Sequence, residues 1–559
     1  MPKIKIVATI GPASFDETIL KKMARKGLSV IRVNTAHTEP GYITEVSKMI
    51  NKINEDCGTK IGLMVDLKGP ELRTGNFPNK KLTITSGKKY TITDDGKIKN
   101  DILINHQFIE YIDDNTIIAI NDGKVHFRVT DIKGNYVIAE ALDSGEVHDT
   151  SRVNIPGKYI KLGTMTDRDL IFLNEGLSIN ANFYALSFVQ KKENVYDLQD
   201  YIYDKHGQGE IISKIETKSG YDDIKSIVNV SDYIMVARGD LGVELPLKEV
   251  VMAQKNIIKE AHKRAIPTIV ATQMLESMVL SDSPTRAEVS DVTNAILDNA
   301  DALMLSEETA IGKYPYSAVS YLTDISNFVE SEKIDLIEPE NSFTDKLAFS
   351  ISRGLRKITE GIDIKSLIAV TKSGYTAKMI SAMRPEQDIY AVVTSEWLAR
   401  GLNLMRGVQP VVLSESFLES SNIYDVIDEL IKNKLITTGE KTIIVSGSPS
   451  QVFGGANDLK IVNVGKFIGR GYAVGKNVRG KIDINNTGEG NILYLDSYVK
   501  NMDYSKYDAI LIKSSITGRI INYFMENGKT LLYNVELKKN INSDMEISVD
   551  SDTGLITYI

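Results

Sequence analysis

The sequence predicts an α/β protein built on a (β/α)8 TIM barrel, with an inserted small all-β lid domain, a C-terminal α/β regulatory domain and an extra C-terminal domain. Three observations predict it. Short β-branched runs alternate with helical patterns eight times over the first three hundred residues. The alternation breaks once, between Asp66 and Phe183, in a stretch too long for one helix and its loops. After Pro315 a second, separate strand–helix alternation begins.

The eight expected barrel strands are Ile4–Thr9, Ser29–Asn34, Ile61–Asp66, Phe183–Phe188, Ile211–Ile215, Tyr233–Ala237, Thr268–Ala271 and Ala302–Leu305. Each is a short apolar run, as a strand buried on both faces requires. Helical spacing follows at Phe15–Arg25, Tyr42–Ile53, Val251–Arg264 and Arg286–Leu297. The interruption carries strand patterns at Lys81–Thr85, Tyr90–Thr93, Thr116–Ile120, Val125–Val129 and Tyr136–Ala141. Turn residues separate them, such as Asn121-Asp122-Gly123 and Lys133-Gly134-Asn135. An insertion after the third strand lies over the barrel mouth, where a lid belongs. The expected domains are therefore 1–73 with 153–332 for the barrel, 74–152 for the lid, 342–470 for the α/β domain and 471–559 for the extra segment. Lys333–Asn341, acidic and Pro-containing, is the expected linker. Strands at Leu367–Thr371, Ile389–Val393, Val411–Leu413 and Thr442–Ser446 are expected beyond it.

Composition narrows the function classes. At 559 residues the chain is too long for one core. A formal net charge of −8 argues against nucleic acid or an anionic membrane as partner, yet leaves room for a locally basic pocket. The single cysteine, Cys57, excludes an intrachain disulfide and is expected in a loop before a strand. The start lacks signal-peptide architecture and no apolar run is long enough to span a bilayer, so a cytoplasmic protein is expected.

Barrel function sits at the carboxyl ends of the strands. Here those ends are polar: Arg32-Val33-Asn34, Asp66 through Arg73, Lys214-Ile215-Glu216, Ala237-Arg238-Gly239-Asp240, Ala271-Thr272-Gln273 and Ser306 through Thr309. Several cations and carboxylates crowded at one mouth need pairing or ligands. Divalent cations beside phosphate groups satisfy both, and Glu216 and Asp240, on adjacent strands, are the natural carboxylate pair. Lys214 and Glu216 alternate by two and project the same way. A lysine beside a metal and two carboxylates suits phosphoryl transfer. A metal-dependent aldolase or lyase using the same two acids on a pyruvate enolate is the alternative. Arg286 is expected to brace a helix start capped by Thr285.

Taken together the residues resemble the pyruvate kinase family. The matching stretches are Ile6–Ser14, Val30–Asn34, Asp66–Gly75, Val153–Gly157, Ile211–Glu216, Ile234–Gly242, Ala271–Met278, Pro284–Glu288 and Met304–Thr309, in order along residues 3 to 470. The resemblance implies transfer of the phosphoryl group of phosphoenolpyruvate to ADP, giving ATP and pyruvate. It implies Mg2+ or Mn2+ on Glu216 and Asp240, with Lys214 stabilising the transferring group and the enolate. Arg32 would bind the phosphoryl group, while Ala237, Gly239, Asp240 and Thr272 would hold the substrate carboxylate. Arg73, His37, Asn34 and Arg152 would face the nucleotide, and Asn34, Asp66 and Leu67 a K+ ion. The signals for K+ conflict: a hydroxyl ligand of the family pattern is replaced at Ala36, while the acid Glu71 is kept. The basic residues usual before the Val153–Gly157 motif are missing, with Asp149-Thr150-Ser151-Arg152 in their place, and Glu307 stands where glycine is usual.

Thr371, Lys372, Ser373, Gly374 and Thr376 end a strand and open a helix, an arrangement that can hold a phosphate. Family likeness implies a sugar-phosphate or AMP effector there, with Gly447–Gly455 as the closing loop, and a homotetramer. Residues 471–559 exceed the common family length, and their end is similar to the swivelling domain of phosphoenolpyruvate-utilising transferases. That domain carries a phosphorylated histidine. This chain has no histidine after His262, so a packing or assembly role is expected for the tail.

Overall fold

The structure, a computed structural model, describes residues 2–98, 100–332, 339, 346–415, 423–447, 457–537, 541–543 and 545–558. The chain divides into two compact units. The first comprises Met1–Phe349, Lys372–Glu386 and Ser395–Val412, and the second Ser350–Thr371, Gln387–Thr394 and Leu413–Ile559.

The core of the first unit is a closed barrel of eight parallel strands: Lys5–Thr9, Leu28–Asn34, Gly62–Asp66, Phe183–Leu186, Glu210–Ile215, Tyr233–Ala237, Thr268–Ala271 and Ala302–Leu305. Each pairs with its sequence neighbour, and the last closes on the first through Lys5↔Ala302 to Ala8↔Leu305. The strands are almost wholly buried, as their apolar composition requires. All eight lie within a few residues of where the sequence places them. The fourth ends early, at Leu186, because Phe188 turns into the left-handed region (φ 55°).

Helix ends follow the local chemistry. Glu17–Lys26 starts behind Asp16, whose side chain accepts the Ile19 N–H, and stops at Gly27 (φ 120°). The helix expected from Phe15 therefore begins two residues later. Tyr42–Cys57 runs to Cys57, so that thiol ends a helix rather than sitting in a loop. The helix expected at Val251–Arg264 spans Leu247–His262. Thr285 and Glu288 form a capping box that starts Arg286–Leu297.

The lid contains a seven-stranded sheet in the order Leu72–Arg73, Arg152–Asn154, Ile117–Ile120, Val125–Ile132, Tyr136–Ala141, Lys89–Thr93 and Ile102–Leu103, with Lys81–Ile84 and Gly145–His148 as a separate pair. Leu72–Arg73 and Arg152–Asn154 are the two chain crossings between barrel and lid, and they pair with one another through Arg73↔Arg152 and Leu72↔Val153. These short segments are too brief to show a period in the sequence. At the hairpin Asn121-Asp122-Gly123 all three residues take positive φ (60°, 53° and 76°). A Cβ at Gly123 would lie 3.3 Å from Val243, so the lid tip rests against the helix Arg238–Glu244.

In the second unit Asp388–Val393, Ser366–Val370 and Lys441–Ser446 pair in parallel, and Asp458–Asn463 adds an antiparallel strand that the sequence reading did not include. The strand expected at Val411–Leu413 is found at Val408–Val412, in the first unit. The tail forms its own closed barrel from Lys466–Val474, Val478–Asp483, Ile492–Leu495, Ala509–Ile512, Thr530–Leu537, Glu546–Val549 and Leu555–Tyr558. The expected linker Lys333–Asn341, Pro339 apart, and the loop Gly447–Gly455 beyond Gly447 lie outside the described residues.

Candidate active site

At the carboxyl end of the barrel a cleft of about 790 Å³ gathers Arg32, Asp66, Lys214, Glu216 and Asp240 under the lid. Lys214, on the fifth strand, donates to Ser187 Oγ at 2.8 Å and to Asp66 Oδ1 at 3.1 Å, and its Nζ lies 3.0 Å from Glu216 Oε1. Arg32, on the second strand, donates through Nε to Asp66 Oδ2 at 2.6 Å and through Nη1 to Thr9 Oγ1 at 2.8 Å. Asp66 thus presents one oxygen to each cation. Burial opposes its ionisation, but Lys214 and Arg32 outweigh that and hold its carboxyl below the usual range. Burial likewise opposes the Lys214 charge, and Asp66 with Glu216 overcomes it, so the ammonium is kept.

Glu216 directly follows the fifth strand, and Asp240 lies in the first turn of the helix Arg238–Glu244 that follows the sixth. Glu216 Oε2 accepts the Phe188 backbone N–H at 2.8 Å. Burial pushes the Glu216 carboxyl up to about 7; Lys214 pulls it down and the Asp240 charge raises it. Asp240 stays below the usual range because Arg152 and Lys214 outweigh its burial. Two facing carboxylates, Glu216 buried and Asp240 half-buried, are a donor set that a hard divalent cation fits. Among the described residues no group of three or more His, Cys, Asp or Glu side chains could hold a metal. A cation on this pair would therefore take its remaining ligands from substrate oxygens and water, as Mg2+ does.

Thr272 occupies the left-handed region (φ 68°) and is followed by Gln273 (φ 55°). For a β-branched residue this is a strained backbone at a strand end. Its Oγ1 accepts the Gly239 N–H at 2.8 Å, which places Thr272 against the Ala237–Asp240 turn. Arg238 in that turn is structural. It binds Asp291 at 2.6 Å and the carbonyls of Thr272 and Gln273 at 2.7 and 3.1 Å. Glu308 is likewise spent, accepting the Leu275 and Ser306 N–H groups.

Asn34, His37, Arg73 and Arg152 all line the cleft. Arg73 bonds Glu71 through Nε (2.9 Å) and Nη2 (2.5 Å) and the Thr150 carbonyl through Nη1 (2.8 Å). Arg152 pairs with Asp240 and lies over the Phe188 ring, its guanidinium carbon 4.7 Å from the centroid. The three K+ candidates also meet here, with other partners. Asn34 Oδ1 accepts the Ala36 N–H, the Leu67 carbonyl accepts the Ser187 hydroxyl, and Asp66 serves Arg32 and Lys214.

Ser187 and Phe188 belong to the site without having been singled out from the sequence. Ser187 and Phe188 sit at a strand's carboxyl end, the signal that located the others, but neither is charged. Of the effector segment, Thr371 belongs to the second unit and Lys372, Ser373, Gly374 and Thr376 to the first. Gly374 (φ 85°) precedes the helix Tyr375–Ala382. No helix among the described residues is long and apolar enough to cross a membrane.

Comparison with known proteins gives a consistent result. The family model described as pyruvate kinase, barrel domain, matches residues 1–319, and that described as pyruvate kinase, alpha/beta domain, matches 350–462. A pyruvate kinase of Thermoplasma acidophilum is 44% identical over 557 residues, covering 99% of this chain and 98% of the relative. One of Clostridium perfringens is 34% identical, with 83% of this chain covering 100% of the relative. A crystal structure of a pyruvate kinase from Cryptosporidium parvum superposes with a TM-score of 0.76 at 31% identity, covering 83% of this chain and 96% of that one.

Proposed function

The chain belongs to the pyruvate kinase family, and on that premise we propose that Lys214, Arg32 and the Glu216–Asp240 pair carry its reaction. The enzyme transfers the phosphoryl group of phosphoenolpyruvate to ADP, giving pyruvate and the ATP of glycolysis. The observation that supports the assignment is the convergence of Lys214 with Asp66, Ser187 and Glu216 at the floor of the cleft.

Phosphoryl transfer asks for alignment and for fixed charge where negative charge grows. Arg32 binds the phosphoryl group, and Lys214 stabilises that group in flight and the enolate left behind. Both cations are pinned by Asp66 before substrate arrives, so little reorganisation is needed during the reaction. Glu216 and Asp240 would hold Mg2+ or Mn2+, which when bound supplies further neutralisation of phosphoryl and enolate oxygens. Ala237, Gly239, Asp240 and Thr272 hold the carboxylate end of the substrate. Arg73, His37, Asn34 and Arg152 face the nucleotide, and the lid excludes water above it. A coupled assay of phosphoenolpyruvate plus ADP, with and without Mg2+, tests this reading. Turnover should require Mg2+ and collapse in Glu216→Gln and Asp240→Asn; Mg2+-dependent turnover that survives both changes would refute the metal assignment.

Asn34, Asp66 and Leu67 remain the candidate ligands for K+, tested by comparing activity in K+ and in tetramethylammonium. Thr371, Lys372, Ser373, Gly374 and Thr376 are proposed to bind a sugar phosphate or AMP, tested by the shift each causes in the substrate curve. A cytoplasmic homotetramer is proposed. Leu247 (82% exposed), Val251 and Met252 present an apolar stripe beside a groove of about 500 Å³ on the first unit, which supports association of copies. Light scattering on the eluted protein measures the state.

A further inference from the structure

The lid's return strand and the helix that carries Asp240 are joined by two rungs. Arg152 and Asn154 are two apart on the strand Arg152–Asn154 and share a face. Asp240 and Glu244 are four apart on the helix Arg238–Glu244 and share a face. Arg152 Nη1 donates to Asp240 Oδ1, and Asn154 Nδ2 donates to Glu244 Oε1 at 2.9 Å. The rungs differ in kind. Asn154 and Glu244 are both buried, and nothing in the reaction competes for them. In the other rung a guanidinium occupies a carboxylate assigned above to a divalent cation. Two positive charges on that half-buried carboxylate repel each other.

Arg152 has somewhere else to go. Glu71 Oε1 lies 3.7 Å from its Nε, and the Phe188 face supports the guanidinium plane. Its Nη2 is buried and makes no hydrogen bond, a donor waiting for an anion. We propose that Arg152 competes with the divalent cation for Asp240, and that cation binding releases Arg152 to Glu71 and the anionic nucleotide. The upper rung then breaks while the lower one holds, so the lid's return strand registers whether the metal is in place. The proposal rests on Asp240 as a metal ligand.

Mn2+ binding to the substrate-free enzyme, followed by the electron paramagnetic resonance of free Mn2+, tests it. Arg152→Gln removes the competing charge and should tighten Mn2+ binding about tenfold, with Arg152→Lys in between. Hydrogen exchange on the wild-type protein gives a readout free of any variant. Mn2+ should speed exchange across residues 149–153 and leave the Asn154 side unchanged. Unaltered Mn2+ affinity in Arg152→Gln, or an exchange pattern indifferent to Mn2+, overturns the proposal. Asp240→Asn separates the two levels. If it loses Mn2+ binding while Arg152→Gln gains nothing, the metal assignment stands and the competition does not. If it binds Mn2+ as the wild type does, both fall.

Discussion

Asp66 and Lys214 are 148 residues apart in the chain and meet at 3.1 Å on the floor of the barrel mouth. The second oxygen of Asp66 is taken by Arg32 at 2.6 Å. One buried carboxylate thus sets the position of both cations proposed to meet the phosphoryl group. Asp66→Asn should therefore cost stability as well as activity. Leaving two buried cations short of their counter-charge typically costs about 3 kcal/mol or more. Urea denaturation measures it, and a loss under about 1 kcal/mol would show that Asp66 is not what holds the cluster.

Thr272 stores backbone strain at a position proposed to hold the substrate carboxylate. Thr272→Gly relieves the left-handed conformation but leaves the Gly239 N–H without its acceptor. These effects oppose each other at about 1 kcal/mol each, so stability should stay near that of the wild type. Activity should not: kcat/KM is expected to fall about tenfold or more as the carboxylate-binding turn loosens. Thr272→Ser keeps the hydroxyl and should retain most activity. Equal kinetics in the glycine and serine variants would remove Thr272 from the site.

Away from the site, the half-buried Glu210 carboxyl is pushed up to about 7 by burial and by the neighbouring Asp232, against Lys378. An acid whose pKa is raised on folding binds its proton more tightly in the folded state. Stability is then highest below the unfolded value of about 4.5 and falls as pH rises toward 7. Glu210→Gln should flatten this slope, by about 1 kcal/mol because the group is partly exposed to solvent. Thermal unfolding of both proteins at pH 4.5 and 7.5 makes the comparison.

In the second unit Lys441 is buried, bonded to Asp550 at 2.9 Å and to Asp552, and so ties the α/β sheet to the tail barrel. Lys441→Ala strands the buried Asp550 charge and is expected to cost about 2 kcal/mol, softened by the bonds Asp550 keeps to Asn463 and Thr553. Cutting the tail away should destabilise the remaining sheet more than Lys441→Ala does, since it also uncovers apolar surface. Denaturant midpoints of the two proteins test the order.

The barrel was legible because its strands are short, apolar and regularly spaced, and their polar ends mark the face where the cleft opens. Lys214, Glu216, Asp240 and Arg32 were picked out by that rule, and the structure gathers them in that cleft. Ser187 and Phe188 obey the same rule but were missed, since a hydroxyl and a backbone N–H carry no charge pattern to notice. Leu72–Arg73 and Arg152–Asn154 were missed because strands of two or three residues have no period; their pairing across the lid crossing is a tertiary fact. The pairing of Arg152 with Asp240 was hidden for the same reason: the two lie 88 residues apart, and only the folded barrel brings the helix of Asp240 to the lid crossing.

Lys214 is proposed to supply the fixed charge for phosphoryl transfer, and steady-state kinetics of Lys214→Met with phosphoenolpyruvate, ADP and Mg2+ measures what that charge contributes. With fold and Mn2+ binding retained, kcat should drop on the order of 10²–10³. A folded, Mn2+-binding Lys214→Met enzyme that turns over near the wild-type rate would contradict it.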